Sequence, residues 1–155
     1  MIVAVAHNKG GVGKTTTVVQ LAGELKPEII IDLDAHQGIA IINGRRPVEQ
    51  RWDVRAGLEK AALIKLLKAA DEHLVLIDCG GFDSELVRIA IASADLIIAP
   101  SNDDITEQIG LVRFNRVLSE ISQSTGETIQ AHVLITRTNP NRKNFSAISD
   151  ELTSL

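Results

Sequence analysis

The residues with the clearest potential for chemistry lie near the amino terminus, in the run Lys9-Gly10-Gly11-Val12-Gly13-Lys14-Thr15-Thr16. Glycines allow successive backbone N–H groups to point toward one spot, and such a nest at the start of a helix binds anions. A lysine and hydroxyl side chains at the end of the nest are the groups that contact nucleotide phosphates and Mg²⁺. The run therefore predicts a nucleotide-phosphate site.

The common phosphate-binding pattern, Gly-x-x-x-x-Gly-Lys-[Ser/Thr], would require glycine where Asn8 stands, so this loop is a variant of it. Its glycines are bunched, and a second lysine, Lys9, opens the loop. In the predicted site Lys14 reaches the β- and γ-phosphates and the Thr15 hydroxyl ligates Mg²⁺. The Thr16 hydroxyl is placed to bond on the α-phosphate side.

A dinucleotide-binding loop is the nearest competing interpretation, because it also places glycines after the first strand and an acid such as Asp32 further on. The pattern Gly-x-Gly-x-x-Gly started at Gly11 would need glycine at the position of Thr16. Lys14 also has no role in that scheme. The dinucleotide site is therefore rejected.

Carboxylates follow two apolar runs further along the chain. Ile29-Ile30-Ile31 is followed by Asp32-Leu33-Asp34, and Leu74-Val75-Leu76-Ile77 is followed by Asp78. Acids at neighbouring strand ends can hold Mg²⁺ and position a water for attack on a phosphate. A strand that ends in aspartate is common, but after a phosphate loop these spacings favour a functional role for Asp34 and Asp78.

The elements that must position these residues alternate between short β-branched runs and helical segments, which predicts a doubly wound, mainly parallel α/β sheet with helices on both faces. In such sheets ligands bind at the carboxyl ends of the strands, where the loop and the acids fall. The predicted strands are 1–6, 28–32, 73–78, 96–99 and 131–136, and the predicted helices are 14–25, 55–70, 84–94 and 105–122.

Composition agrees with one globular domain spanning residues 1–155. Apolar residues make up 45% of the chain, its net charge is −4, and it has one cysteine, Cys79, which excludes an internal disulfide framework. No signal peptide or membrane-spanning run is recognised, so a cytoplasmic protein is expected. A helical pattern over residues 143–155 has no strand after it, and we expect the domain to be incomplete at its carboxyl end.

The motifs together resemble the ParA/MinD family of ATPases with a deviant Walker A motif. The segments that carry the likeness are the run 9–16, IIIDLDAHQG, LVLIDCGG and ADLIIAPS, within residues 1–140. The likeness is strongest to small ParA-type plasmid and chromosome partition proteins. It implies a P-loop fold, ATP and Mg²⁺ as cofactors, and ATP hydrolysis.

The resemblance also implies roles and partners. Lys9 becomes the lysine that reaches across a nucleotide-sandwich homodimer to the partner's phosphates, and Lys14 and Thr15 act within their own chain. Asp34 positions the attacking water, Asp78 holds Mg²⁺ through a water, and Asp32 supports the metal shell. The implied partners are a second copy of the chain, a ParB-type adaptor and non-specific DNA, which would place the protein on the nucleoid.

The sequence departs from the family pattern at three places. Ala35 stands where a proline usually follows the second aspartate, and Cys79-Gly80-Gly81 replaces a small residue and two prolines after Asp78. Family members also run further at the carboxyl end, where basic residues for DNA are common. The first two departures predict a more flexible loop around the γ-phosphate.

Several other residues are expected to have structural or surface roles only. Cys79 is expected to be a buried small residue, and His7, His36, His73 and His132 lack metal-ligand spacing. The arginines at 45, 46, 51 and 55 are expected to form a solvated surface, with DNA contact as the alternative. Arg137, Arg142 and Lys143 are the better candidates for DNA, and Thr138 and Asn139 for the adenine base.

Two alternative functions remain open at this point. A MinD-like ATPase would position a membrane or protein cargo, and a C-terminal amphipathic helix, which is not recognised in this sequence, would mark its membrane form. A metabolic P-loop ligase of the dethiobiotin-synthetase type would need a small-substrate pocket, and no polar constellation suggests one.

Overall fold

The computed structural model describes residues 1–70, 73–102 and 104–139, together with Asn141, Phe145 and Ser149. Within that part of the chain there are six strands: β1 (Ile2–Val5), β2 (Ile29–Asp32), β3 (Val54–Ala56), β4 (Val75–Asp78), β5 (Leu96–Ser101) and β6 (His132–Ile135). They form one sheet in the order β3-β2-β4-β1-β5-β6, and every neighbouring pair is parallel. The predicted doubly wound α/β fold is confirmed.

Helices cover both faces of the sheet, as its nearly continuous apolar strands require. The helices are α1 (Lys14–Leu25), α2 (Gly38–Gly44), α3 (Lys60–Lys68), α4 (Glu85–Ala92) and α5 (Ile105–Thr125), with a short 3-10 helix at Val48–Gln50. One face of the sheet packs against α1 and α2 through a cluster that includes Val18 and Ile39. The other face packs against α3, α4 and α5 through a larger cluster that includes Leu63, Ile91 and Phe114.

The prediction of a helix from residue 55 was wrong at its start. Val54–Ala56 forms β3 at the edge of the sheet, Gly57 then turns the chain with φ +64°, and the helix begins only at Lys60. The helix α2 was also not predicted, because its sequence begins and ends in glycine and is only seven residues long.

The remaining predicted elements lie within a few residues of the observed ones, and the bounds predicted for α1 are those observed. The helical pattern predicted for residues 143–155 lies outside the described residues, apart from Phe145 and Ser149. None of the described helices combines the length and the apolar character needed to cross a bilayer.

Candidate functional site

The topology brings the glycine–lysine run 9–16, called here the phosphate loop, to the same edge of the sheet as Asp32 and Asp78. The central strand β1 lies between β4 and β5, and its Val5 is in register with Asp78 at the end of β4. Asp78 is also in register with Asp32 at the end of β2. Because all three strands are parallel, the loop after β1 and the residues after β2 meet at the carboxyl edge, where doubly wound sheets bind ligands.

The loop itself depends on glycine at two positions. Gly11 has φ +77° and Gly13 has φ +105°, both in the left-handed region that other residues adopt only at a cost. Gly13 also accepts hydrogen bonds from the backbone N–H (2.8 Å) and the hydroxyl (2.9 Å) of Thr17, which closes the first turn of α1. No side chain caps this helix and no acid lies in its first turn, so the terminal N–H groups are available to an anion.

Lys14 is held beneath this loop. The residue is only 6% exposed, and its ammonium donates a hydrogen bond to the Lys9 carbonyl at 3.0 Å. Burial lowers the pKa of Lys14, and the charges of Asp78 and Asp34 oppose that shift. The lysine therefore stands pre-positioned at the floor of a cleft of about 200 Å³, lined by Gly10, Gly11, Gly13, Lys14, Thr15, Thr16, Asp34 and Arg137.

Thr15 and Asp78 form a direct pair beside the cleft. The Thr15 hydroxyl donates to Asp78 Oδ2 at 2.7 Å, and the other carboxylate oxygen, Oδ1, has no hydrogen-bond partner in the described part of the chain. Burial raises the pKa of Asp78 to about 7; the Thr15 hydrogen bond opposes this shift, and the charge of Asp32 adds to it. A fully buried carboxylate with a free lone pair has reason to acquire a cation.

This pair fits a magnesium ion. Mg²⁺ takes oxygen ligands, keeps several waters and is usually held by one or two protein groups together with substrate phosphates. A hydroxyl and a carboxylate that share one spot match that demand. Among the described residues, no group of three or more histidines, cysteines or acids could hold a metal ion. A magnesium ion at the Thr15–Asp78 pair would therefore need water or phosphate oxygens as further ligands.

The two aspartates after β2 have different surroundings. Asp32 is 1% exposed and accepts hydrogen bonds from the backbone N–H groups of Asp34 and Ala40, each at 3.1 Å. Burial raises its pKa, while those N–H groups oppose the shift. Asp32 thus orders the segment that carries Asp34, whose carboxylate lies at the cleft and accepts from the His36 N–H at 2.8 Å. The role of Asp32 in the metal shell stays a prediction.

Gly80 and Gly81, which stand where the family pattern has prolines, pack directly against the site. A Cβ atom on Gly81 would lie 3.3 Å from both the Cα and the backbone N of Gly10 and 3.6 Å from Lys14 Nζ. One on Gly80 would lie 3.4 Å from the Leu33 carbonyl oxygen. The absence of side chains here lets the segment after β4 lie close to the phosphate loop.

The Lys9 side chain contacts a different element, the helix α5. Its ammonium donates to the Thr106 hydroxyl at 3.0 Å and to Glu107 Oε1 at 2.7 Å, both in the first turn of α5. Its backbone N–H donates to His7 Nδ1 at 3.0 Å.

Of the predicted site residues, the structure brings Lys14, Thr15, Asp34 and Asp78 together around the cleft. It places the Lys9 side chain on α5.

Sequence reasoning missed three residues of this region. Thr106 and Glu107 were not singled out, although the Asp104 cap of α5, which accepts from the Thr106 N–H at 2.8 Å, marks a helix that starts at the same sheet edge. Arg137 was considered only for DNA, yet it lines the cleft.

Cys79 and two of the arginines at 45–55 have surroundings typical of structural or surface roles. Burial raises the pKa of Cys79 to about 12, so its thiol is neutral and unreactive. Arg46 stacks over the Trp52 ring at 3.9 Å, and Arg55 pairs with Asp53 at 2.7 Å. These arginines already have partners in the chain. Arg142 and Lys143 lie outside the described residues.

Comparisons with known proteins find similar proteins of the ParA type. A model of the AAA domain family matches residues 1–45, the part with the phosphate loop, Asp32 and Asp34. Protein ParA of Rhizobium radiobacter is 26% identical over 145 residues, which cover 90% of this chain and 65% of that protein. Maintenance of carboxysome distribution protein A of Gloeobacter kilaueensis is 29% identical over 104 residues, which cover 64% of this chain and 48% of that protein. The chain therefore spans between about half and two thirds of these relatives.

A solved structure shows the same fold. The putative plasmid partition protein of Borrelia burgdorferi, determined with bound AMPPNP, superposes with a TM-score of 0.75 over 99% of this chain and 82% of its own. Its sequence identity to this chain is 18%, so the likeness establishes the architecture and leaves the chemistry to the residues of the site.

Proposed function

Because the chain is a ParA-like protein, we propose that it binds Mg-ATP in the cleft above Lys14 and hydrolyses it within a nucleotide-sandwich homodimer that drives DNA partitioning. The observation that carries the proposal is the arrangement of Lys14, Asp34 and the Thr15–Asp78 pair around one cleft of about 200 Å³ at the carboxyl edge of the sheet. A cation, an anion nest and acids within one opening are the parts that phosphoryl transfer needs.

The phosphates would be held by the chain's own groups. The N–H groups of the glycine loop and the start of α1 would donate hydrogen bonds to the phosphate oxygens, and Lys14 would neutralise charge on the β- and γ-oxygens. Thr15 and Asp78 would hold Mg²⁺, which, when bound, supplies positive charge to the phosphate oxygens. Since Lys14 is already in place, little reorganisation accompanies nucleotide binding.

Asp34 is the residue that we assign to the attacking water. It lies at the cleft on the segment that Asp32 orders through two backbone hydrogen bonds. A carboxylate in this position can orient a water by accepting its proton as the oxygen attacks. Loss of this group should stop hydrolysis and spare ATP binding.

Lys9 would complete the site of the second copy in the dimer. A cation delivered from a neighbouring chain stabilises the charge that develops during phosphoryl transfer. Its side chain is 37% exposed, so it can leave α5 without disturbing the core. Hydrolysis would then return the dimer to monomers and release DNA, with a ParB-type adaptor stimulating turnover.

A second candidate is the positioning of a protein cargo, which the likeness to the carboxysome distribution protein favours. The nucleotide cycle is common to both candidates, and they differ in what the dimer carries. A metabolic ligase of the dethiobiotin-synthetase type, by contrast, would consume ATP together with a small substrate and would not need DNA.

The test is DNA co-sedimentation of the full chain with ATP, ADP or no nucleotide, alongside Asp34→Ala. We expect DNA binding with ATP only, and we expect Asp34→Ala to stay dimeric and DNA-bound with ATP because hydrolysis no longer resets it. Light scattering reports the dimer and phosphate release reports turnover. The proposal would be contradicted by DNA binding that is the same with ATP, with ADP and without nucleotide. It would also be contradicted by an Asp34→Ala protein that stays monomeric with ATP.

A further inference from the structure

We propose that Glu107 is a positioning residue that holds Lys9 within its own chain and so sets the threshold for the ATP-dependent dimer. The inference rests on the proposed function, since it assumes that Lys9 acts in a second copy. It starts from the contacts of the Lys9 ammonium, which bonds Glu107 Oε1 at 2.7 Å and Thr106 Oγ1 at 3.0 Å. Both acceptors belong to the first turn of α5, far from Lys9 in sequence.

The two partners are unequally buried. The Glu107 side chain is 11% exposed and the Lys9 side chain is 37% exposed. The pair can therefore open by movement of the lysine alone, while the carboxylate stays where the helix places it. Glu107 Oε2 is also buried and has no hydrogen-bond partner in the described part of the chain, so the carboxylate depends heavily on Lys9.

The surroundings of the pair are closely packed because α5 lies near the loop. A Cβ atom on Gly110, one turn beyond Glu107, would lie 2.8 Å from His7 Cε1 and 3.7 Å from the Lys9 Cβ. His7 in turn stacks on Phe114 of α5, with ring centroids 5.8 Å apart, and accepts the Lys9 N–H. Only glycine at 110 allows this approach, so α5 is held at the distance that brings Glu107 to Lys9.

Release of Lys9 would leave a buried carboxylate without its cation, which is unfavourable. That cost has to be offset by whatever receives the ammonium. Nucleotide phosphates of a second copy offer more negative charge than one carboxylate, whereas an empty site offers none. Glu107 thereby opposes dimer formation without ATP and yields to it with ATP.

The experiment compares the full-chain wild type with Glu107→Gln, which keeps shape and removes charge. We expect the protein concentration at which half the chains are dimeric with ATP to fall about threefold to fivefold, the upper value corresponding to roughly 1 kcal/mol. Glu85→Gln is the matched control, because Glu85 pairs with Lys60 at 2.6 Å on the exposed surface. It should leave the midpoint at the wild-type value.

A second measurement needs no nucleotide. The rate of reductive methylation of Lys9, followed by mass spectrometry without ATP, reports how firmly the ammonium is held. We expect Lys9 to react severalfold faster in Glu107→Gln, with Lys65, an exposed lysine of α3, as the internal reference. Glu107→Asp, which restores the charge one methylene further away, should give an intermediate rate.

The outcomes separate this inference from the function on which it rests. If the wild type forms the dimer and Glu107→Gln shows neither the lower midpoint nor faster Lys9 methylation, Glu107 does not hold Lys9. If the Glu107 carboxylate only stabilises the fold, Glu107→Gln will have a lower thermal midpoint and an unchanged methylation rate, and this too overturns the inference. If the wild type never forms a dimer with ATP, the proposed function fails, and the threshold role fails with it.

Discussion

The two lysines of the phosphate loop occupy very different environments. Lys14 is 6% exposed and bonds a carbonyl of its own loop, while the Lys9 side chain is 37% exposed and bonds Glu107 of a distant helix. Lys14 lies at the floor of the cleft beside Asp34 and Thr15, whereas the Lys9 side chain lies on the α5 side of the loop. The same residue type in one short segment is therefore fixed at one end and displaceable at the other.

This difference suggests a division of labour between binding and catalysis. A buried cation with little freedom suits ground-state binding, because its entropy is already lost before the ligand arrives. A cation that must change partners suits a step that should happen only after assembly, because its departure from Glu107 has to be offset. Changes at the two lysines should accordingly affect different measurements.

Lys9→Ala should have the largest effect, on turnover. A cation supplied from a neighbouring chain contributes on the order of 10³-fold or more to phosphoryl transfer in comparable machinery. We expect ATP hydrolysis to fall by about that factor while ATP affinity changes by less than about tenfold. Steady-state phosphate release and nucleotide titration check the two parts. Wild-type turnover in Lys9→Ala would remove the basis for the sandwich dimer.

Lys14→Ala should have the next largest effect, on affinity. Loss of a charge-assisted bond to phosphate costs about 1.5 to 3 kcal/mol, which corresponds to roughly ten- to a hundredfold weaker Mg-ATP binding. Isothermal titration or a fluorescent analogue measures it. Lys65→Ala, on the exposed surface of α3, is the matched control and should bind as the wild type does. Tight binding of Mg-ATP by a folded Lys14→Ala protein would contradict the phosphate-binding role of Lys14.

His7→Asn should have the smallest effect on nucleotide binding and turnover, and it tests the burial of the ring that accepts the Lys9 N–H. Burial lowers the pKa of His7 to about 4 from 6.5, with the Lys14 charge adding to the shift. The unfolded chain then binds more protons than the folded one between those values, so the His7 contribution to stability is present above pH 6.5 and is lost as pH falls toward 4. The loss amounts to at most about 3 kcal/mol.

Denaturant unfolding of both proteins between pH 4 and 8 measures this contribution. Asn at position 7 keeps an acceptor for the Lys9 N–H and removes the titrating ring. The raised pKa of Asp78 acts with the opposite sign, lowering stability as pH rises toward 7, but it is present in both proteins and cancels in the difference. Parallel pH curves for wild type and variant would show that His7 is not a buried neutral ring.

The sequence by itself predicted the fold class, which the structure confirms, and a phosphate site in the glycine–lysine loop, because both predictions rest on local patterns. Apolar runs that alternate with helical segments predict a parallel sheet covered on both faces, and glycines with a lysine at the start of α1 predict an anion nest. The same reasoning failed where local preference is weak. The three residues of β3 owe their strand conformation to pairing with β2, and α2 is a short segment rich in glycine.

Only the tertiary structure decided which distant residues meet around the loop. The in-register ends of β2 and β4 bring Asp32 beside Asp78, and the order of the sheet places β5, and with it the start of α5, next to β1. Glu107 and Thr106 therefore reach Lys9, which lies almost a hundred residues earlier in the chain. Periodicity and composition carry no record of such contacts, because they depend on how elements pack and not on what any one element prefers.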